Sequence, residues 1–101
     1  MTYLDTIAML IRDSLPEGTQ PPDASESLFR FYSVLARAKG EAVTAEDVHD
    51  TWAAWMQTVN QDHAALVPFD ELEPEVREED IPYLKAIQKA ARILREVRDS
   101  R

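Results

Sequence analysis

The side chains best suited to chemistry in this chain are two histidines, two tryptophans and one carboxylate, all between residues 49 and 70. The imidazoles of His49 and His63 could ligate a metal, transfer protons or recognise a ligand. The indoles of Trp52 and Trp55 could stack on a base or another ring. Asp70, in the run LVPFDEL, adds a carboxylate. These five residues form the candidate ligand-binding set.

Each member of this set also has a structural explanation. A zinc site usually takes three or four ligands, and His49 with Asp50 and Asp62 shows no metal-site spacing. We therefore favour a histidine that hydrogen-bonds the backbone and braces the following loop against its helix. The acids of residues 70–80 would need burial to act as a tuned acid and base pair, so solvated charge is the better interpretation. We predict no catalytic residue, no metal and no cofactor.

The net charge of −8 is unevenly distributed along the chain. Residues 70–80 contain seven acids against Arg77 alone, whereas residues 81–101 are basic. A protein that binds nucleic acid must neutralise phosphates with Lys and Arg, so this acidic chain is a poor candidate for that class. The candidate residues for contact with another protein, or with a second copy of the chain, are Asp70, Glu71, Glu75, Glu78 and Glu79.

Apolar residues recur three and four positions apart, which predicts an all-α, compact four- to five-helix single domain. The first helix should stop before Pro16 and lead into a proline-rich loop at residues 16–24. The second should run from about Ser25 to Lys39 and end at Gly40. Because this second helix is apolar on nearly every side, we predict that all its large apolar residues lie in the core: Leu28, Phe29, Phe31, Tyr32, Val34 and Leu35.

The second half of the chain should contain a capped helix, a rigid turn and a long final helix. Thr44 is the expected cap of the third helix. Its buried stripe, in which both indoles are mainly structural, consists of Val48, Trp52, Trp55, Met56 and Val59. Asp70 is expected to accept backbone amides in an Asx-type turn. Beyond a turn started by Pro74 we predict a short helix, a kink and a long helix from about Pro82 to Arg98 with a buried face of Leu84, Ile87, Ala91, Leu94 and Val97.

The order of these motifs resembles the ryanodine-receptor repeat (RyR) domain over roughly the second half of the chain. The stretches that carry the resemblance are VHDTWA at 48–53 and HAALVPFDELEPEVREED at 63–80. The resemblance implies an RyR-like half at residues 44–101 behind an N-terminal helical hairpin at residues 1–43. It also implies a structural or protein-contact role without catalytic residues. With its LFRFYSVLARAKG helix, the chain is similar to small proteins of actinobacteria and their phages.

These observations lead to two expectations of function. The first is a non-enzymatic protein-interaction module, such as a phage accessory protein that engages a host or self partner. The alternative is a small-ligand, nucleotide-like sensing domain that uses the histidine and tryptophan region. An enzyme is the least favoured class. No apolar run approaches the roughly 18 residues of a membrane helix, so we expect no membrane partner and a cytoplasmic location, in the host if the protein is phage-encoded.

Overall fold

Five α-helices form the framework of residues 1–100, the part of the chain that the computed structural model describes. They are α1 (Tyr3–Asp13), α2 (Glu26–Lys39), α3 (Ala45–Val59), α4 (Pro74–Glu78) and α5 (Ile81–Asp99). Short 3₁₀ turns lie at Gly40–Ala42 and Phe69–Glu71. No strand occurs in residues 1–100, so the predicted all-α fold is confirmed. Within the same residues, no helix is both long and apolar enough to cross a membrane.

Local sequence sets where two of the helices begin and where one ends. Thr2 and Asp5 form a reciprocal capping box at the start of α1, and Thr44 and Asp47 form another at the start of α3. In each pair the hydroxyl and the carboxylate accept otherwise unpaired backbone N–H groups. Helix α2 ends at Gly40, which has a positive φ of 59°. That conformation favours glycine, as the sequence predicted.

The core forms where α1, α2, α3 and α5 face one another. Helix α1 packs against α2 and α5, and α2 also packs against α3. Ala86 and Ala90 of α5 have no exposed surface, and their small side chains leave room for the large residues of the neighbouring helices. The largest fully buried apolar side chains in this core are Tyr32, Phe29, Ile11, Leu28, Ile87 and Val48.

Helix α2 is buried on fewer sides than the sequence predicted. Phe31 is 37% exposed and Val34 is 53% exposed, so the prediction that both lie in the core was wrong. Both residues line an open groove between α2 and α3 that no other element of residues 1–100 covers. The predicted burial of Val59 and Val97 was also wrong, because each lies near the end of its helix and is more than half exposed.

The last two helices follow the predicted arrangement with a small shift. Helix α4 has Pro74 at its first position, and α5 begins at Ile81, one residue before Pro82. A proline in the first turn of a helix removes no intrahelical hydrogen bond, because the N–H groups of that turn have no partner there. The break between α4 and α5 therefore places Asp80 at a corner of the chain.

Candidate functional site

A cavity of about 370 Å³ lies where the loop before α2 meets α3, the loop after α3 and the junction of α4 with α5. It combines aromatic and aliphatic walls with a few polar groups, as small-molecule sites commonly do. Its lining residues are Gln20, Pro22, Leu28, Tyr32, His49, Trp52, His63, Ala65, Val76, Glu79, Asp80 and Tyr83.

Helix α3 supplies two aromatic side chains on one face of the cavity. His49 and Trp52 are three residues apart, a spacing that places them on the same side of a helix. Their rings stack at a centroid distance of 5.7 Å and an interplanar angle of 26°. His63, in the loop after α3, meets Trp52 edge-on at 5.1 Å. His49 is only 2% exposed, whereas Trp52 is half-buried and His63 is exposed.

The imidazole of His49 connects the cavity to the LVPFDEL turn. Its Nε2 lies 2.7 Å from the carbonyl oxygen of Val67. A carbonyl can only accept a hydrogen bond, so Nε2 carries a hydrogen and donates it. The ring also packs against Phe69 of the same turn at 6.1 Å. The prediction of a histidine that bonds the backbone and braces this turn against its helix is confirmed for His49.

Arg77 of α4 holds the turn from the other side. One of its terminal nitrogens donates to the carbonyl oxygen of Asp70 at 2.7 Å, and its guanidinium lies 5.6 Å from the Phe69 ring centroid. The Asp70 carboxylate accepts no hydrogen bond from residues 1–100, so the predicted Asx-type turn was wrong. The turn closes instead through the Glu71 amide, which donates to the Pro68 carbonyl oxygen at 2.9 Å.

Asp80 is the most perturbed carboxylate of the cavity. Burial, opposed by the charge of His49 and assisted by the charge of Glu79, raises the pKa of Asp80 to about 6. The nearest approach to His49 joins its Nδ1 to Asp80 Oδ2 at 4.0 Å, which is too long for a hydrogen bond. The Asp80 carboxylate therefore faces the cavity without a hydrogen-bond donor from residues 1–100.

Two tyrosines form the opposite wall. The rings of Tyr32 on α2 and Tyr83 on α5 lie 5.8 Å apart. Tyr32 is 1% exposed, and neither hydroxyl hydrogen-bonds to another group of residues 1–100. Burial and the nearby charge of Asp80 raise the pKa of both phenols, so each keeps its proton at neutral pH. Each hydroxyl is thus a neutral donor and acceptor at the cavity.

The structure brings together three of the five candidate ligand-binding residues. His49, Trp52 and His63 line the cavity, whereas Trp55 is only 5% exposed and belongs to the hydrophobic core. Asp70 lies outside the cavity, on the exposed side of the turn. Of the five acidic residues proposed for partner contact, Glu79 alone lines the cavity, and all five are exposed. Within residues 1–100, no three His, Asp or Glu side chains cluster in a way that could hold a metal ion.

Sequence reasoning missed Tyr32, Asp80 and Tyr83 as cavity residues. Tyr32 was assigned to the core because of its apolar neighbours on α2, although its hydroxyl lies at the cavity. Asp80 was counted among solvated acids. The sequence signal that could have found Asp80 and Tyr83 was their spacing, because residues three apart at the start of a helix share one face.

Replacing Asp80 with asparagine should stabilise the protein at neutral pH but not in acid. The folded protein holds the Asp80 proton more tightly than the unfolded chain, so the stability contributed by this group is present near pH 4 and is lost as the pH rises through about 6. The groups that face Asp80 are His49 on α3, Tyr32 on α2, Tyr83 on α5 and its neighbour Glu79. Because water reaches the cavity, we expect a gain of about 1–2 kcal/mol above pH 7.

Urea denaturation of wild type and Asp80→Asn at about pH 4 and about pH 8 measures this difference. Glu73→Gln serves as the control, because Glu73 is exposed and lies outside the cavity. A stabilisation by Asp80→Asn that is equal at both pH values would contradict the prediction.

The comparisons with known proteins correct one expectation from the sequence. No curated protein and no solved structure matches the chain. The resemblance to the ryanodine-receptor repeat was wrong, because the family model that matches is a different one. The residues that suggested it include a face of α3 and the proline turn braced by His49. The match extends over residues 2–92, and the chain therefore belongs to the family described as Domain of unknown function (DUF7701).

Proposed function

We propose that this domain binds a small organic molecule with a flat ring in the cavity between α2, α3 and the start of α5. The convergence of His49, Trp52 and His63 on one concave site is the observation that supports the proposal. The cavity of about 370 Å³ falls within the range of roughly 300–1,000 Å³ that is common for small-molecule sites. A cytoplasmic location remains part of the proposal.

The cavity walls are suited to a ring. Trp52 offers an indole that is half-buried, held between the stacked imidazole of His49 and the edge-on imidazole of His63. Tyr32 and Tyr83 add two more rings on the far side. Aromatic pairs add about 0.5–1.5 kcal/mol beyond the burial of their surface. Since helices carry most of these rings, a ligand would meet walls that are already in position.

The protein-interaction role stays a prediction with less support. Its candidate residues Asp70, Glu71, Glu75, Glu78 and Glu79 are exposed carboxylates, and a surface of this kind is also what solvation alone would produce. The ligand-binding candidates differ because three of them meet at one cavity, where His49 is buried and Trp52 is half-buried. This difference is why we place the sensing alternative first.

The two tryptophans provide a test within one molecule. In a ¹H–¹⁵N spectrum each indole N–H gives its own signal, and only Trp52 lines the cavity. Adding a set of small ring compounds, such as indole, adenine and phenethylamine, should shift the Trp52 signal and leave that of buried Trp55 in place. The expected affinity is millimolar to micromolar, as for fragments with few atoms, or about −4 to −8 kcal/mol.

Trp52→Leu is the matched variant, because it removes the indole from the cavity and leaves the buried Trp55 of the core intact. It should abolish the saturable shifts of the surrounding cavity amides. If no ring compound shifts the Trp52 signal, or if Trp52→Leu binds as well as wild type, the proposed ligand site is wrong.

A further inference from the structure

We infer that the ligand is a cation: a ring compound with a protonated nitrogen that donates to the carboxylate of Asp80. The inference rests on the proposed ligand site and specifies the charge of the molecule that it takes. It also narrows the nucleotide-like expectation, since it selects bases and amines over phosphorylated molecules.

The charge of the cavity lining supports a cation. Asp80 and Glu79 are both at the cavity, and none of the residues that line it within residues 1–100 is Lys or Arg. The closest base along the chain, Arg77, donates instead to the Asp70 carbonyl oxygen and lies over the Phe69 ring. A phosphate or carboxylate in the cavity would therefore face two like charges without a lysine or arginine to pair with.

The two histidines do not reverse this balance. Nδ1 of His63 accepts the amide N–H of Ala65 at 3.0 Å, so this nitrogen is not available to donate to an anion. His49 directs its Nε2 hydrogen away from the cavity, to the Val67 carbonyl oxygen. Its other nitrogen faces Asp80 at 4.0 Å without a hydrogen bond.

The polar groups of the cavity are available to a ligand. The Asp80 side chain is only 13% exposed, yet it accepts no hydrogen bond from residues 1–100. A partly buried carboxylate without donors loses part of its hydration, and an ammonium or ring N–H⁺ would supply a charge-assisted hydrogen bond. The Tyr32 hydroxyl, on a side chain that is 1% exposed, is likewise without a partner within these residues and lines the same cavity.

The aromatic walls favour the same ligand class. Cations are attracted to the faces of Trp and Tyr rings when they lie within about 6 Å of the ring centre. Trp52, Tyr32 and Tyr83 all line the cavity that contains Asp80. A ligand with a cationic group beside the Asp80 carboxylate and a flat ring beside the Trp52 indole would contact both the acidic and the aromatic parts of the cavity.

Three compounds with the same phenyl ring and head groups of different charge test the inference on the complete chain. Phenethylamine is a cation at neutral pH, 2-phenylethanol is neutral and phenylacetate is an anion, and all three carry the same phenyl ring. Titration of the ¹⁵N-labelled protein should give the lowest Kd for the amine, by about tenfold or more over the alcohol, and the weakest binding for the acid.

Asp80→Asn tests whether the Asp80 carboxylate binds the positively charged group of the ligand. It should weaken binding of the amine by about tenfold and leave binding of 2-phenylethanol unchanged. Glu73→Gln, which removes an exposed carboxylate outside the cavity, is the control and should bind the amine as wild type does. The variant is expected to fold, because asparagine keeps the shape of the side chain and removes only its charge.

The outcomes separate this inference from the proposed function. If the three compounds bind equally, or if the alcohol or acid binds best, the ring site stands and the cation inference is wrong. The inference is also wrong if Asp80→Asn and Glu73→Gln weaken amine binding to the same extent. If none of the three shifts the Trp52 signal at millimolar concentration while other rings do, the cation inference fails alone. If no ring compound of any charge binds, both proposals fail.

Discussion

Trp55→Ala should lower the free energy of unfolding by about 3–5 kcal/mol, the largest effect that we expect from a single substitution. The Trp55 ring is 5% exposed and belongs to the core cluster formed with α1, α2 and α5. Alanine would leave a cavity that the surrounding helices cannot fill. A small domain has only about 5–15 kcal/mol in total, so much of the stability would be lost. Chemical denaturation followed by circular dichroism measures the change.

Trp52→Ala is the matched comparison, because it removes the same side chain from the same helix. Trp52 is half-buried and lines the ligand cavity, so its removal should cost about 1–2 kcal/mol. The two substitutions should therefore separate stability from binding. An equal loss of stability in both variants would show that the two indoles share one role, as the sequence had suggested.

His49→Ala should have the second largest effect, a loss of about 2–4 kcal/mol. The substitution removes the donor to the Val67 carbonyl oxygen, and it removes a ring that packs between Trp52 and Phe69. A buried polar group left without its partner costs about 1–3 kcal/mol, and the lost ring contacts add to that. The same denaturation measurement applies, together with amide hydrogen exchange of residues 66–72, which should become faster as the turn loosens.

His63→Ala is the control for this experiment. His63 is exposed, and its Nδ1 bonds only the nearby Ala65 amide. Its replacement should change stability by no more than about 0.5 kcal/mol. A loss for His49→Ala that is as small as the loss for His63→Ala would mean that the Val67 hydrogen bond contributes little to holding the turn.

The helices could be predicted well because their signals are local. Thr44 and Asp47 form the start of α3 within one turn of chain, and Gly40 ends α2 through its own backbone conformation. Capping and hydrophobic spacing need no knowledge of distant residues. The same holds for Pro74 and Pro82, whose positions at the starts of α4 and α5 follow from the missing N–H of proline.

The sides of those helices that are buried could not be predicted with the same success. Phe31 and Leu28 are both apolar residues of α2, yet one is 37% exposed and the other 1%. Which face of α2 is buried depends on how α1, α3 and α5 pack around it. The spacing of apolar residues within α2 does not specify this packing. The two indoles of α3 show the same limit, since Trp52 and Trp55 looked alike in the sequence and have different surroundings.

The candidate site depended on contacts between distant segments. His49 could be singled out by residue type, but its neighbour Asp80 comes from a different helix start and looked like one acid among many. Tyr32 reaches the same cavity from α2. Only the packing of three helices brings these groups together, so a reading of local patterns finds part of the set and misses the carboxylate.

The position of α5 has a consequence for how the chain reaches its native state during synthesis. Ala86, Ile87 and Ala90 have no exposed surface, and α5 contacts α1, α2 and α3. Until these residues leave the ribosome, α1, α2 and α3 can pack on one another, but the apolar surface that they turn toward α5 stays uncovered. Completion of the core therefore waits for the synthesis of α5, and until then the nascent chain exposes apolar surface.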